Sequence, residues 1–504
     1  MHQDQDFELE GEPLPNEDTL IQDLELTTLF SAMADGNVFL LAVARRAVLS
    51  GLTDPVAIRY RQQMLADCLR QTAVVREIYD IAVEAEEGQK GMYFGMFRDS
   101  PGATLSGSIR VLETLVPLLR RLRGITDKHG AAFVSDGFVR FFAMISEELS
   151  DGYLDTVEGH LRHLDPRRGV LLNALLGKVN GSVYYLVRRP RRPGWRGWIP
   201  SWNRSAFSFQ IPPRDTGGFK ALADMRSRGI NRVANALAQS ADHIRSFFRM
   251  LRTELAFYIG CLNLHERLET KGEPTCFPVP SAPGTAVFSV AGLYDVCLTL
   301  ILEETVVGND VRADGRSLVV ITGANQGGKS TFLRSVGLAQ LMMQTGMFVP
   351  AQSFRANVSR GVFTHHKREE DPTMEKGKLE EELSRMSEIA DAIGPNCLLL
   401  CNESFASTNE REGSEIARQI VRAMTEVGVK VFYVTHLYDL AHRLHAYGGD
   451  SALFLRAERR PDGQRTFKLV EGGPLPTSFG EDLYRRIFGP ADDLASTPVD
   501  ERTP

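Results

Sequence analysis

Apolar positions recur at three- and four-residue spacing from residue 19 to about residue 186, a pattern that predicts a largely helical region. Within it, Val38-Phe39-Leu40-Leu41-Ala42-Val43-Ala44 reads as a buried helix, and Thr53-Asp54-Pro55 as the capped start of another. The periodicity breaks over residues 186–217 and returns over 219–269. Residues 271–284, with four prolines, predict a linker. Beyond it the texture changes. Residues 317–322, 397–401 and 431–435 are short apolar runs of the kind that forms strands buried on both faces. Helices are predicted between them at 329–345 and 378–393, and a hairpin at 452–457 and 465–470 around Pro461-Asp462-Gly463. The fold class expected is an α-helical domain (19–284) followed by an α/β domain (285–489). An acidic solvated tail (1–18) and a disordered tail (490–504) flank them.

Composition narrows the class. The chain has 504 residues, 43% hydrophobic and 24% charged, which suits a soluble protein of two or three domains. No run of about 18 apolar residues is present, so no membrane partner is expected. The acidic start lacks the basic-then-apolar order of a secretion signal. Six scattered cysteines suit reduced thiols and a cytoplasmic location, nucleoid-associated in a bacterium. A net charge of -6 argues against a surface coated in cations, yet one basic patch is enough to grip phosphates. Cys397 and Cys401 would stand roughly 13 Å apart along a strand, and His365-His366 has no nearby partners, so zinc is not expected.

The chemistry concentrates after residue 320. Gly323-Ala324-Asn325-Gln326-Gly327-Gly328-Lys329-Ser330 fits the spacing G-x4-G-K-S and falls between a predicted strand and a predicted helix. Gly323, Asn325, Gly327, Gly328 and Thr331 would let backbone N–H groups close around phosphates at a helix N-terminus. Lys329 would reach the outer phosphates of ATP, and the Ser330 hydroxyl would ligate Mg²⁺. Leu398-Leu399-Leu400-Cys401-Asn402-Glu403 ends a strand in the polar pair such a site needs. Glu403 fits the base, while Asn402 stands where an Asp is expected, leaving the magnesium contact neutral. His436, at the end of the 431–435 run, could sense the terminal phosphate.

Together these motifs resemble the ATPase domain of the MutS family of DNA mismatch-recognition proteins. Thr322 followed by residues 323–331 is similar to that family's T-G-P-N-M-G-G-K-S-T. Val349-Pro350-Ala351-Gln352 matches V-P-A-Q, and Val307-Gly308-Asn309-Asp310 resembles the N-D segment ahead of the loop. Ser407-Thr408-Asn409 with Gly413 looks like the loop after the acidic pair. Thr435-His436 matches T-H, and Ser478-Phe479-Gly480 is similar to S-Y-G. Residues 53–62 resemble the start of the helical lever domain. The resemblance implies Lys329 and Ser330 as phosphate and magnesium ligands, Glu403 as catalytic carboxylate and His436 as γ-phosphate sensor. It implies an ABC-type homodimer in which each site is completed by the partner's signature loop, for which Glu375-Lys376-Gly377-Lys378-Leu379 is the candidate, with Lys376 or Lys378 facing the γ-phosphate; a plain helix start with solvated charges is the alternative. DNA and downstream repair proteins are the other partners implied. The lever-like region begins almost at the N-terminus, leaving no room for mismatch-reading and connector domains, so branched or looped DNA is expected beside mispaired DNA.

Residues 186–204 hold six arginines, three tryptophans and no acid. Arg188, Arg189, Arg191, Arg192 and Arg196 could fork onto phosphates while Trp195 and Trp198 stack on bases. A structural arm, or a membrane or protein docking site, is the alternative. Two other functions stay open: a nucleotide-gated scaffold with little hydrolysis, because of Asn402, and an ABC-type ATPase acting on a protein complex.

Overall fold

The short apolar runs after residue 317 become the middle of a six-stranded sheet. Its order is Arg465–Glu471, Ala452–Arg459, Leu318–Gly323, Lys430–Val434, Leu398–Asn402, Val362–His366. The first pair is antiparallel and every other pair parallel. The computed structural model describes residues 3–11, 14–90, 100–164, 172–176, 182–187, 210–212, 214–368, 377–460 and 464–475. They fall into two compact units, one of residues 1–69 with 256–504 and one of residues 70–255.

In the first unit, the strands of the central sheet are apolar because helices cover them. Leu399, Val431 and Tyr433 share a core with Met386 and Ile389 of the helix Lys378–Ala392, with Ala417, Val421 and Met424 of Glu410–Glu426, and with Leu440 and Ala441 of Tyr438–Tyr447. The helix Lys329–Thr345 is buried along most of its length. A second, four-stranded sheet runs in the order Val279–Ser281, Ser353–Asn357, Phe288–Leu293, Asn309–Arg312.

The second unit is mainly helical: Thr72–Lys90, Pro101–His129, Asp136–Glu148, Asp151–Leu164 and the part of Thr216–Thr270 up to residue 255. Leu112, Leu115, Leu119 and Leu122 form a buried stripe at helical spacing. Phe133, Phe138 and Phe142 pack ring on ring, with centroids 4.6 to 6.0 Å apart.

The structure departs from the sequence expectations in four places. Residues 20–69 and 256–284 pack within the α/β unit, so the boundaries fall at 69/70 and 255/256 rather than at 284/285. Leu52 N donates to Gln344 O (2.7 Å), Arg61 donates to Thr345 O (3.1 Å), and Gln62 donates to Pro278 O (2.9 Å). Helical periodicity shows that one face is buried, not against which element. The proline-rich stretch 271–284 holds an edge strand, Val279–Ser281, where a residue without N–H costs no internal ladder bond. Cys276 pairs with Val349 just before it. In the acidic N-terminal stretch Phe7 is buried, Arg46 Nε donates to Glu8 O (3.3 Å), and a helix begins at Glu17. Within the region read as helical, Leu172–Leu176 and Ser182–Val187 form an antiparallel pair.

The arginines and tryptophans of the basic arm (Arg188, Arg189, Arg191, Arg192, Trp195, Arg196, Trp198) lie outside the described residues, as do Glu375-Lys376, Ser478-Phe479-Gly480, the hairpin tip 461–463 and the C-terminal tail. Among the described residues, no helix is long and apolar enough to cross a membrane.

Candidate active site

Three neighbouring parallel strands bring the polar residues to one edge. Leu318–Gly323 runs into the glycine-rich loop, Lys430–Val434 beside it leads to His436, and Leu398–Asn402 on the far side ends at Glu403. The loop turns directly into the helix Lys329–Thr345, whose first N–H groups have no helical partners and face the loop. Gly328 caps that helix with φ +85°, a left-handed conformation that a side chain would strain.

Asn325, Gln326, Gly327, Gly328, Lys329, Ser330, Thr331, Glu403 and His436 line one cleft of about 390 Å³. Gly323 closes the strand beneath it. Ser330 Oγ donates to Asn402 Oδ1 (2.8 Å), so the two expected magnesium ligands already touch. Lys329 is 5% exposed and turned inward, its Nζ donating to Gly323 O (3.0 Å) and Ala324 O (2.9 Å). Burial pushes its ammonium below the ordinary lysine range, with Glu403 opposing the shift.

Glu403 sits at φ +54°, an uncommon conformation for a residue with a side chain. Its N–H donates to Val434 O (2.9 Å), and Oε1 lies 3.6 Å from His436 Nδ1. The His436 ring foremost, then the ammonium groups of Lys329 and Lys367, hold the Glu403 carboxyl below its usual range despite burial. A hydroxyl, an amide oxygen and a carboxylate at one phosphate-binding loop are hard oxygen donors of the kind Mg²⁺ takes, together with water.

A second cavity, about 600 Å³, shares Gln326, Gly328 and Thr331 with the first, so the two are continuous around the loop. Its apolar wall includes Leu293, Tyr294, Val307 and Phe467. Phe467 is 47% exposed and held at φ +59°, with its backbone against Gly328. Asn309 fixes that strand: it donates to Phe467 O (3.2 Å) and accepts from Leu469 N (2.7 Å). The sequence marks Asn309 but neither Phe467 nor Tyr294: nothing local flags a residue brought in from a strand almost 140 positions beyond the loop, or one at the end of a strand some 30 positions before it.

Gly377 and Lys378 stand at the start of the helix Lys378–Ala392 and do not line the cleft. Gly413, in the first turn of the helix Glu410–Glu426, packs against the loop after Glu403: a Cβ there would collide with the Phe405 carbonyl, which explains the small residue.

Two family models match the chain: the MutS2 N-terminal domain over residues 53–271 and MutS domain V over residues 319–495. The chain belongs to the MutS family. The domain V match takes in the whole cleft, from Gly323 to His436. Among curated relatives, an Endonuclease MutS2 of Lacticaseibacillus casei is 30% identical over 262 residues, 48% of this chain and 32% of the relative. An Endonuclease MutS2 of Streptococcus equi subsp. zooepidemicus is 23% identical over 87% of this chain and 55% of its own length. A DNA mismatch repair protein MutS of Chlorobium chlorochromatii is 24% identical over 79% of this chain and 47% of its own. The chain thus covers 32% to 55% of the length of these three relatives.

Proposed function

We propose that this protein is a magnesium-dependent ATPase of the MutS type that couples nucleotide binding to DNA binding. The observation that carries the reading is the convergence of Lys329, Ser330, Asn402, Glu403 and His436 on one cleft at the end of a parallel sheet.

In this reading the loop N–H groups and the helix N-terminus hold the phosphates of ATP. Lys329 leaves the carbonyls of Gly323 and Ala324 for phosphate oxygens. Ser330 and Asn402 hold Mg²⁺, which would neutralise charge on the phosphates. Glu403, kept ionised by His436, takes a proton from the attacking water. The apolar cavity beside the loop suits the base, with Phe467 available for stacking. Gly377 and Lys378 act in trans, completing the partner's site in a homodimer. The names of the relatives, and the arginine- and tryptophan-rich arm, support DNA as partner, in repair or recombination. If the six arginines of the arm neutralise six phosphates, the logarithmic salt slope of binding is roughly -5.

Single-turnover hydrolysis tests the first half. Glu403→Gln should keep MgATP affinity and lose roughly 10²- to 10⁴-fold in rate. Gel shifts on mismatched, branched and plain duplex DNA, with ADP and with ATP, test the second half. No shifted species under any nucleotide condition would remove DNA from the reading. The neutral Asn402 against Ser330 favours a second reading, a nucleotide-gated scaffold that hydrolyses little. Wild type and Glu403→Gln equally inert, with nucleotide still bound, would decide for it.

A further inference from the structure

Behind the cleft lies a buried polar cluster that phosphate binding does not use. His365, on the strand Val362–His366, is fully buried beside the end of the strand carrying Asn402 and Glu403. Its Nε2 lies 2.9 Å from the Glu382 carbonyl, which can only accept, so Nε2 carries the hydrogen. Its Nδ1 lies 2.7 Å from Ser404 Oγ. A neutral ring with Nε2–H leaves Nδ1 an acceptor, so the one Ser404 hydroxyl hydrogen lies between Nδ1 and His365 O (2.7 Å), with the Cys401 thiol also in reach of Ser404 Oγ. The ring stacks on Phe405, with centroids 5.3 Å apart and planes at 21°.

These contacts seize the residues next to Glu403. Tyr433 OH donates to Ser404 O (2.8 Å), and Glu403 N–H donates to Val434 O (2.9 Å). Residues Glu403 and Ser404 are therefore held from both neighbouring strands: Val434 takes the Glu403 N–H, Tyr433 the Ser404 carbonyl, and His365 the Ser404 side chain. Left-handed backbone at a residue with a side chain is strained and persists only where its surroundings over-determine it. Glu403 and Phe405, at φ +54° and +61°, are two such residues around Ser404. On its other side, His365 is anchored to the helix Lys378–Ala392 through Glu382, which is 2% exposed and accepts from Ser407 Oγ (3.1 Å) in the loop that follows.

We propose that His365 is a positioning residue for hydrolysis: through Ser404 it fixes the backbone that aims Glu403, and through Glu382 it fastens that backbone to the helix beginning at Lys378. The inference rests on the ATPase reading of Glu403. His365→Phe keeps the ring and its stack on Phe405 but removes both hydrogen bonds. Ser404→Ala removes one hydroxyl. Each should lower kcat by about 10- to 100-fold, the range for outer partners of site ligands, while KM for ATP and nucleotide Kd stay within about two-fold. The double variant should lose no more than the worse single one, because both break one link. His365→Asn, whose Oδ1 stands where Nδ1 stood, should recover much of the loss. If His365→Phe fails to fold, Ser404→Ala decides alone. A kcat within about two-fold of wild type in Ser404→Ala, with Glu403→Gln inactive, overturns this inference and leaves the ATPase reading intact. A wild type that binds ATP without turning it over defeats the ATPase reading instead, and this one with it.

Discussion

The α/β unit and the helical unit bury polar groups in different ways. In the α/β unit, Lys329, His365, Glu382, Ser404 and Thr435 are buried and gather at or behind one end of the sheet. In the helical unit, charge is mostly kept at the surface in short pairs. Arg123 meets Asp127 (3.0 Å), Arg140 meets Asp136 (2.7 Å), and Arg120 reaches Asp155 (2.8 Å) and Glu158 (3.0 Å). Pairs of that kind contribute little to stability, so apolar packing holds the second unit together. Buried polar groups raise the stakes of every contact and specify one geometry. The candidate site lies in the first unit, among such groups.

The comparison sharpens under substitution. Phe142→Ala opens the three-ring cluster of the helical unit and should cost about 3–5 kcal/mol of its stability, read by denaturant unfolding. The nucleotide Kd of the folded protein should not move; a parallel loss of ATP affinity would break the contrast. Lys329→Ala should do the reverse, with little change in unfolding and about 100-fold weaker MgATP binding by calorimetry, as expected when charge-assisted hydrogen bonds worth about 2–3 kcal/mol are lost.

A third substitution probes a buried charge in the α/β unit that takes no part in the cleft. Lys430 Nζ is buried without a hydrogen-bond partner, 5.3 Å from the Phe288 ring centroid, and burial pushes its pKa down to about 8. The unfolded chain holds that proton up to about pH 10.5 and the folded one only to about 8, so the charge penalises folding below pH 8 and fades as pH rises. Lys430→Met should therefore raise stability by about 3 kcal/mol at pH 7, with the gain shrinking toward pH 10. A gain unchanged across that range would show that packing, not charge, was at issue.

Much of the α/β unit was legible because its signals are local. The strand Leu318–Gly323 and the helix Lys329–Thr345 announce themselves by an unbroken apolar run, a fixed glycine spacing and a matching helical stripe. What remained illegible depends on partners far away in the chain. Pro280 sits in a real strand because only one neighbour pairs with it there. Arg61, which sequence alone would place in solvent, is 1% exposed and donates to Thr345 O. The wall formed by Tyr294 and Phe467, like the clasp of His365 on Ser404, joins residues whose separation no periodicity encodes.

The inward turn of Lys329 has a consequence for ligand choice. Its ammonium is already satisfied by two main-chain oxygens, so an incoming anion must supply replacements for both before it gains anything from the charge. A lone sulfate or orthophosphate brings one compact cluster of oxygens and no purchase on the apolar chamber next door. On the proposed reading, a triphosphate would span the loop and carry a base into that chamber. Under that reading the resting lysine would act as a filter, discriminating by ligand length against the small anions that crowd any cell.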